Sequence, residues 1–315
     1  MVQIVLMGLG AGVAAALLIA SSATGSVLAL LLFYLTPLPI LIVGLGWSHW
    51  AALIAGVVAA VLLAIEGTVV SLGFLIGAAL PAWWLAYLAL LSRPAGDAQE
   101  WYPVGRLVLW AAAISALIAG AFLVSIGGDA ASLHATLHDA FQTLFADLTP
   151  EIAKPEDAAA LVDLMVALVP IALGAVTLII TLVNLWLAGR IVRISGRLPR
   201  PWPSLSGMRF PLLAPLALGA AVGAAFLPDL AGIVASALAA TLVVAHVLLG
   251  LAVIHALTTG LAMRGLILGS VYAALLLFGR LMLPVLLVGL LGIAEALFDV
   301  RGLIARWRGP PAAPS

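Results

Sequence analysis

The chain has 315 residues, of which 65% are hydrophobic and 8% charged, and its mean hydropathy is +1.29. Soluble domains carry about 25% charged residues, so this composition excludes an ordinary soluble fold and indicates a protein embedded in lipid. The formal net charge is zero and the chain has no cysteine, which excludes nucleic-acid binding through a basic excess and any thiolate chemistry.

Apolar runs along the whole chain predict membrane-spanning helices. A helix needs about 20 residues to cross the hydrocarbon core, and runs such as Leu107 to Leu123 and Leu164 to Leu187 reach or approach that length. The first run begins at Ile4 and lacks the positive segment of a signal peptide, so we interpret it as the first span. We therefore predict an all-α, polytopic transmembrane helix bundle of about eight to ten spans. The ten candidate spans are residues 3–20, 26–45, 48–65, 68–91, 104–126, 160–190, 210–227, 230–258, 265–279 and 282–298.

Basic residues and tryptophans predict the orientation of the chain. With the N-terminus in the cytoplasm, only Lys154 and Arg280 of the 13 basic residues fall on the outer side. This bias is expected because cytoplasmic loops are enriched in lysine and arginine. All nine tryptophans fall in or near the same cytoplasmic boundary, where an indole ring is buried while its N–H stays hydrated. We therefore predict that both termini are cytoplasmic and that the protein lies in the inner membrane of a bacterium.

Two segments outside the spans have a composition that predicts their structure. Residues 190–210 carry five arginines and three prolines, which predicts an extended cytoplasmic connector attracted to anionic headgroups. Residues 131–148 place apolar side chains at helical spacing, which predicts an amphipathic helix on the outer face, packed over the bundle as a lid or brace or lying on lipid. The predicted organisation is an N-terminal helix bundle at 1–190 with this outer helix, a connector at 191–209, a C-terminal bundle at 210–300 and a short cytoplasmic tail at 301–315.

The first span carries small residues on one side. Gly8 and Gly12 form a GxxxG pattern, which permits the close approach of a second helix. We predict a helix-contact face here, used either inside this bundle or against a partner. The face consists of Gly8, Ala11, Gly12, Ala15 and Ala16.

The sixth and eighth spans each carry a stripe of small and polar residues at alternating steps of four and three. Such stripes turn away from lipid, and their simplest interpretation is a pair of packing seams. The functional interpretation is that both stripes face one interior cavity, because an ionisable group inside a span is costly and often marks a substrate or proton path. The predicted cavity lining is Thr177, Thr181, Asn184, Ser236 and His246.

Other polar groups give weaker signals. His134 and His138 have the i, i+4 spacing of two metal ligands, yet the sequence identifies no third ligand, so we interpret them as surface histidines. Glu295, Asp299 and Arg301 close the last span, and we interpret them as a boundary charge cluster rather than a gate. The sequence contains no P-loop, nucleophile elbow or dinucleotide-binding turn. We therefore expect no enzyme activity, no catalytic residue, no cofactor and no bound metal.

Two stretches resemble a known family. YLTPLPILIVGLGWS, from Tyr34 to Ser48, and GIAEALFDVRG, from Gly292 to Gly302, resemble the ends of the YybS-like family of bacterial membrane proteins. That family is distantly similar to the substrate-binding membrane subunits of energy-coupling-factor transporters, which dock a coupling partner through small residues of the first helix. The resemblance implies such a role for Ala11, Ala15, Ala16 and Ala20, although this chain has more predicted spans than the usual six of those subunits.

The expected function is that of a transporter-type protein, or a membrane subunit, that binds a small molecule within the helix bundle. The sequence contains no nucleotide-binding motif, so any transport driven by nucleotide hydrolysis would need a partner that binds the nucleotide. The alternative is a non-transporting scaffold or assembly factor that recruits cytoplasmic partners through the arginine-rich connector and the tail. The expected partners are membrane lipids and a membrane or cytoplasmic protein, and no nucleic acid.

Overall fold

The computed structural model describes residues 1–148 and 155–308, and this part of the chain is mostly helical, with one β-hairpin. The hairpin pairs β1 (Ser92–Ala95) with β2 (Ala98–Trp101) in antiparallel register. The predicted all-α fold is confirmed. The helices are α1 (Val2–Ala20), α2 (Val27–Tyr34), α3 (Pro37–Gly46), α4 (His49–Leu63), α5 (Thr68–Phe74), α6 (Leu80–Leu90), α7 (Val104–Ile126), α8 (Ala130–Leu148), α9 (Pro155–Ile194), α10 (Leu213–Ala224), α11 (Asp229–Leu257), α12 (Arg264–Phe278), α13 (Leu283–Phe298) and α14 (Val300–Arg308).

Six helical segments of the described residues are long and apolar enough to cross a membrane, and α13 with α14, bent by 77°, makes a seventh if the pair is one span. This is fewer than the eight to ten spans predicted. The other predicted spans are α4, α10 and α12, which have 15, 12 and 15 residues. A helix of 15 residues rises about 22 Å, less than the roughly 30 Å of the hydrocarbon core. The six segments are Val2–Thr24, Val27–Gly46, Thr68–Leu90, Val104–Ile126, Ala159–Ile194 and Asp229–Leu257.

The outer surface of these helices is apolar, as a lipid environment requires. Leu17 and Val61 are each 65% exposed and Leu276 is 83% exposed. Large apolar side chains exposed in such number would make a soluble protein aggregate, whereas in lipid they lie against acyl chains. The protein is therefore a polytopic membrane protein.

The chain folds into two compact units. The first comprises Met1–Ile118 and Val176–Pro203, and the second comprises Ala119–Ala175 and Ser204–Ser315. The helices α7 and α9 contribute to both. Residues 119–175 belong to the same unit as the C-terminal helices, and the predicted organisation with its boundary at residue 190 stays a prediction.

Small residues let the helices of the first unit approach closely. The Gly8 and Gly12 side of α1 packs on α4, where a Cβ at Gly12 would lie 2.7 Å from the carbonyl oxygen of Ala55. The whole small-residue face is buried. It is therefore occupied within the chain, and docking of a separate partner there has no support from the structure. The buried residues of α1 are Gly8, Ala11, Gly12, Ala15 and Ala16.

The second unit has an even closer helix crossing between α11 and α13. A Cβ at Gly250 would lie 1.9 Å from the carbonyl oxygen of Val288, and a Cβ at Gly292 would lie 1.9 Å from that of His246. Only glycine permits these approaches, because any side chain would overlap backbone atoms of the other helix. The crossing fixes α13, and with it the polar residues at the end of α13.

The predicted amphipathic segment at 131–148 is the helix α8. Leu133 is 2% exposed and forms a core with Ala119, Leu123 and Ala237, against which Leu137 also packs. Leu144, by contrast, is 49% exposed. The packed face of α8 therefore begins at Leu133 and Leu137 and does not include Leu144.

The carboxylate of Asp129 caps α8, and we predict that this makes the helix sensitive to acid. The Oδ1 of Asp129 accepts a hydrogen bond from the N–H of Ser132 at 2.7 Å, while Ser132 Oγ accepts one from the N–H of Asp129 at 3.2 Å. The backbone hydrogen bond from Ser132, and then its side-chain hydrogen bond, lower the pKa of Asp129. Because this pKa is lower in the folded state than in the unfolded state, the ionised carboxylate stabilises the fold at a pH above the unfolded-state pKa. This contribution is lost as the pH falls through the folded-state pKa.

Amide hydrogen exchange of α8 as a function of pH measures this effect, with the intrinsic pH dependence of exchange corrected at each amide. We expect the opening of the first turn to become easier in the wild type as Asp129 is protonated. The variant Asp129→Asn keeps a capping oxygen without the titration and should show no such change. An equal response of the two proteins would contradict the role of Asp129.

The sidedness of the chain stays a prediction, and reporter fusions measure it. We expect alkaline phosphatase fused after residue 151 to be active, and fusions after residues 200 and 308 to be silent, because the basic residues and tryptophans then lie on the cytoplasmic side. Activity at 200 with silence at 151 would overturn the predicted orientation.

Candidate functional site

A buried carboxylate lies at the end of α13. Glu295 is one turn before the end of the helix, and its side chain is 3% exposed. The helix stops because Asp299 adopts a left-handed conformation, with φ at +48°. The chain turns there into α14, and this brings Arg301 back to Glu295. The two carboxylate oxygens accept hydrogen bonds from the backbone N–H of Arg301 at 3.0 Å and from its Nε at 2.8 Å.

Arg301 uses its remaining donors on the segment before α10. Its two terminal nitrogens donate to the carbonyl oxygen of Ser206 and, at 2.6 Å, to that of Met208. The guanidinium is 11% exposed. The planar guanidinium of Arg301 therefore connects the bend between α13 and α14 to the segment at 204–210. Both buried charges, the guanidinium and the Glu295 carboxylate, are hydrogen-bonded.

A second ion pair lies beside the first and is open to solvent. Arg209 donates to Oδ1 of Asp299 at 3.0 Å, and the two side chains are 65% and 47% exposed. A cavity of about 310 Å³ lies between these groups. Its wall combines a guanidinium, two carboxylates and apolar side chains. The lining residues are Arg209, Phe210, Glu295, Ala296, Leu297, Phe298 and Asp299.

His246 is buried behind the aromatic part of this wall. Its ring meets the ring of Phe210 edge-on, with centroids 5.4 Å apart, and it has no exposed surface. Its Nδ1 lies 2.7 Å from the carbonyl oxygen of Leu242, so Nδ1 carries the proton that makes this hydrogen bond. Its Nε2 is then an acceptor and has no partner among the described residues. Phe210 thus contacts both the cavity and His246.

A larger cavity of about 350 Å³ lies along α1 and α3 in the first unit. Residues such as Leu6, Leu38 and Val43 form its wall, which has almost no polar surface. An apolar groove of this kind on the outside of a membrane helix is an ordinary lipid-facing surface. The smaller cavity in the second unit is therefore the candidate functional site, because charged groups converge on it.

The predicted cavity-lining residues belong to different units, with Thr177, Thr181 and Asn184 in the first and Ser236 and His246 in the second. In the first unit, Thr181 donates to the carbonyl oxygen of Thr177 at 2.8 Å, and Asn184 donates to those of Tyr34 and Ile180, both at 2.9 Å. In the second unit, Ser236 donates to the carbonyl oxygen of Gly232 at 2.9 Å. Most of these bonds go to a carbonyl of the same helix, as in packing seams. That the two stripes line one cavity stays a prediction.

The paired histidines of α8 have a neighbour that their spacing could not reveal. The Nε2 atoms of His134 and His138 lie 4.0 Å and 3.8 Å from Oδ1 of Asp163, which is on α9. In the part of the chain that the structure describes, no group of three or more histidines and carboxylates is arranged to hold a metal ion.

Arg209 and Phe210 are the site residues that the sequence interpretation missed. They lie about 85 to 90 residues before Glu295 and Asp299, and the sequence interpretation places Arg209 in the connector and Phe210 at the start of the seventh span. One signal was present. Glu295 is an ionisable residue in an apolar span, and such a residue marks a candidate site with a partner to be identified.

Comparison with known proteins places the chain in a family. The family model described as predicted membrane protein (DUF2232) matches residues 13–293. No match is found among curated proteins or among solved structures. Because the match covers most of the sequence, the chain belongs to the DUF2232 family of predicted membrane proteins.

Proposed function

We propose that this membrane protein binds a small molecule carrying both a positive and a negative group in the cavity between Arg209 and Glu295. The observation that carries the proposal is the wall of the cavity. Arg209 and Asp299, which are 65% and 47% exposed, border it beside the Glu295 carboxylate, which is 3% exposed. Charged groups are costly in an apolar protein, and their convergence on a cavity is typical of substrate sites in membrane proteins.

The two ion pairs have different roles in this proposal. The Glu295 carboxylate already accepts two hydrogen bonds from Arg301, so this pair holds the frame of the site. Arg209 and Asp299 are exposed and share a single hydrogen bond. A ligand with two charged groups can therefore break this ion pair and bind both side chains. An anionic group of the ligand then binds Arg209, and its cationic group binds Asp299. A volume of about 310 Å³ suits a small ligand, since ligand sites usually measure about 300 to 1,000 Å³.

This site fits a transporter-type protein, or a membrane subunit, of the bacterial inner membrane. We propose that the protein is not an enzyme and uses no cofactor, since its sequence carries no catalytic or nucleotide-binding motif. Membrane lipids and a membrane or cytoplasmic protein are the proposed partners, and nucleic acid is not. The resemblance to the YybS-like family of bacterial membrane proteins supports the membrane location, whereas docking of a coupling partner on α1 is not proposed because its small-residue face is buried.

The alternative, a scaffold that recruits cytoplasmic proteins, is favoured by one observation on α14. Trp307 is 92% exposed at the end of this short helix, directly after the buried ion pair. An exposed tryptophan is a common anchor in protein interfaces. If the scaffold function holds, a soluble protein co-purifies with the wild type and is lost from Trp307→Ala.

Thermal unfolding of the purified protein in the presence of small solutes tests the proposed function. We expect a zwitterionic solute to raise the Tm more than a matched amine or carboxylate, because ligand binding to the folded state stabilises it. The variant Arg209→Gln should fold normally, since exposed ion pairs contribute about 0 to 1 kcal/mol, yet lose this shift. The variant Arg106→Gln, which removes an arginine of the first unit, is the control. A shift that persists in Arg209→Gln, or the absence of any shift, would contradict the proposal.

A further inference from the structure

Three arginines near the end of α9 contact tryptophan rings in the first unit. The guanidinium carbons of Arg190 and Arg193 lie 5.6 Å and 5.1 Å from the centre of the Trp202 ring. The guanidinium carbon of Arg197 lies 4.5 Å from the centre of the Trp47 ring. At these distances the ring quadrupole attracts the cation and orients it. A ring contact uses no hydrogen-bond donor, so the N–H groups remain available.

The same three arginines have no anionic partner among the described residues. The ion pairs of the arginines in that part of the chain join Arg93 to Glu100, Arg209 to Asp299 and Arg301 to Glu295. Arg190, Arg193 and Arg197 are exposed, and their guanidinium groups donate no hydrogen bond to a described protein group. The cluster therefore holds three positive charges that the described protein groups do not neutralise.

The cluster lies where several candidate spans of the first unit end. Trp47 follows the last residue of α3, and Arg190 and Arg193 are in the last two turns of α9. A Cβ at Gly46 would lie 3.3 Å from Val192, and Arg200 donates to the carbonyl oxygen of Ala89 near the end of α6 at 3.1 Å. The ends of α3, α6 and α9 therefore lie together. In a spanning bundle such a layer is at the depth of lipid headgroups, where tryptophan and arginine are enriched.

We propose that Arg190, Arg193 and Arg197, oriented by Trp47 and Trp202, form a binding site for the phosphate of an anionic phospholipid. A phosphate oxygen accepts the paired N–H groups that a guanidinium presents, and this geometry distinguishes arginine from lysine. A lipid is the favoured source of the phosphate because the site lies at the end of the spans. This site is in the first unit and is independent of the cavity beside Glu295.

Native mass spectrometry of the full-length protein, titrated with phosphatidylglycerol and with phosphatidylcholine, tests the site. We expect phosphatidylglycerol to bind more tightly to the wild type. The triple variant Arg190→Gln, Arg193→Gln, Arg197→Gln should bind it about 100-fold more weakly, since each basic residue near an anionic surface contributes a factor of about five. The control is Arg106→Gln, Arg264→Gln, Arg306→Gln. It removes the same charge on the same predicted side, from arginines without an ion pair or ring contact among the described residues, and should bind as the wild type does.

Two further measurements test the role of the planar guanidinium and identify the source of the phosphate. Replacing the three arginines by lysine keeps the charge but loses the planar fork, and we expect most of the loss to persist. Inorganic phosphate added in excess should not displace the lipid. Equal loss in both glutamine triples, full binding by the lysine triple, or displacement by inorganic phosphate would overturn the proposal. Unchanged lipid binding accompanied by loss of a co-purifying acidic protein would overturn it in favour of a protein partner.

Discussion

Replacing Arg301 with alanine is expected to destabilise the protein by about 3 to 5 kcal/mol. The change leaves the carboxylate of Glu295, which is 3% exposed, without its charged partner. It also removes the donors to the carbonyl oxygens of Ser206 and Met208. An unpaired charge in a buried site costs far more than the pair itself contributes. Unfolding in mixed micelles by increasing amounts of a denaturing detergent measures the difference in free energy.

The neighbouring ion pair supplies the matched control. Arg209→Ala removes an arginine whose side chain is 65% exposed, and its expected cost is about 0 to 1 kcal/mol. The double variant Glu295→Met, Arg301→Met removes both buried charges and should recover part of the stability lost in Arg301→Ala. If Arg301→Ala costs no more than Arg209→Ala, the Glu295–Arg301 pair does not hold the bend between α13 and α14.

Alanine at Gly250 or Gly292 is expected to destabilise the second unit by about 1 to 3 kcal/mol or more. In each case the new Cβ would lie 1.9 Å from a backbone oxygen of the facing helix, so α11 and α13 must separate. Backbone atoms cannot change rotamer to make room, unlike the end of a flexible side chain. The same detergent titration measures the effect, and disulfide trapping between introduced cysteines on the two helices measures their separation.

Gly269→Ala is the matched control for the helix crossing. Gly269 lies within α12, and a Cβ there would have no heavy atom within 4 Å. Alanine is the better helix former by about 1 kcal/mol, so this variant should be neutral or slightly more stable. If Gly250→Ala and Gly292→Ala behave like Gly269→Ala, the close crossing of α11 and α13 is contradicted.

Much of the fold follows from the sequence because hydropathy reports the solvent of each segment. Every predicted span coincides with a helix or a pair of helices, and the amphipathic pattern at 131–148 predicts α8. The number of spans is overestimated for a physical reason. An apolar run shows that a segment avoids water, whereas crossing a bilayer depends on helix length, and α4 and α10 have only 15 and 12 residues.

The division into units could not be predicted from the sequence. The helix α9 is continuous over 40 residues, and no sequence signal shows that its neighbours change between Ala175 and Val176. The packing of Leu133 against Ala237 joins segments about 100 residues apart, which periodicity does not report. The predicted boundary at residue 190 rests on the arginines, which mark the end of a span, and it stays a prediction.

The candidate site was predicted only in part. Glu295, Asp299 and Arg301 were recognised as a charge cluster because charges are rare in this sequence. Their arrangement depends on the left-handed conformation of Asp299, which a sequence pattern does not specify. The sequence analysis places the predicted cavity at the stripes of Asn184 and His246 instead, because polar residues in the middle of a span are a stronger signal of a site than charges at its end.

Native mass spectrometry of the protein released from gentle detergent shows whether the cavity binds a small molecule, since a retained small molecule is distinguished from lipid by its mass. We expect a small zwitterionic molecule to be bound to the wild type and to Arg106→Gln, and to be absent from Arg209→Gln, in which the guanidinium beside the cavity is lost. No small molecule in the wild type across cell extracts and solute panels, or equal retention by Arg209→Gln, would contradict binding in the cavity between Arg209 and Glu295.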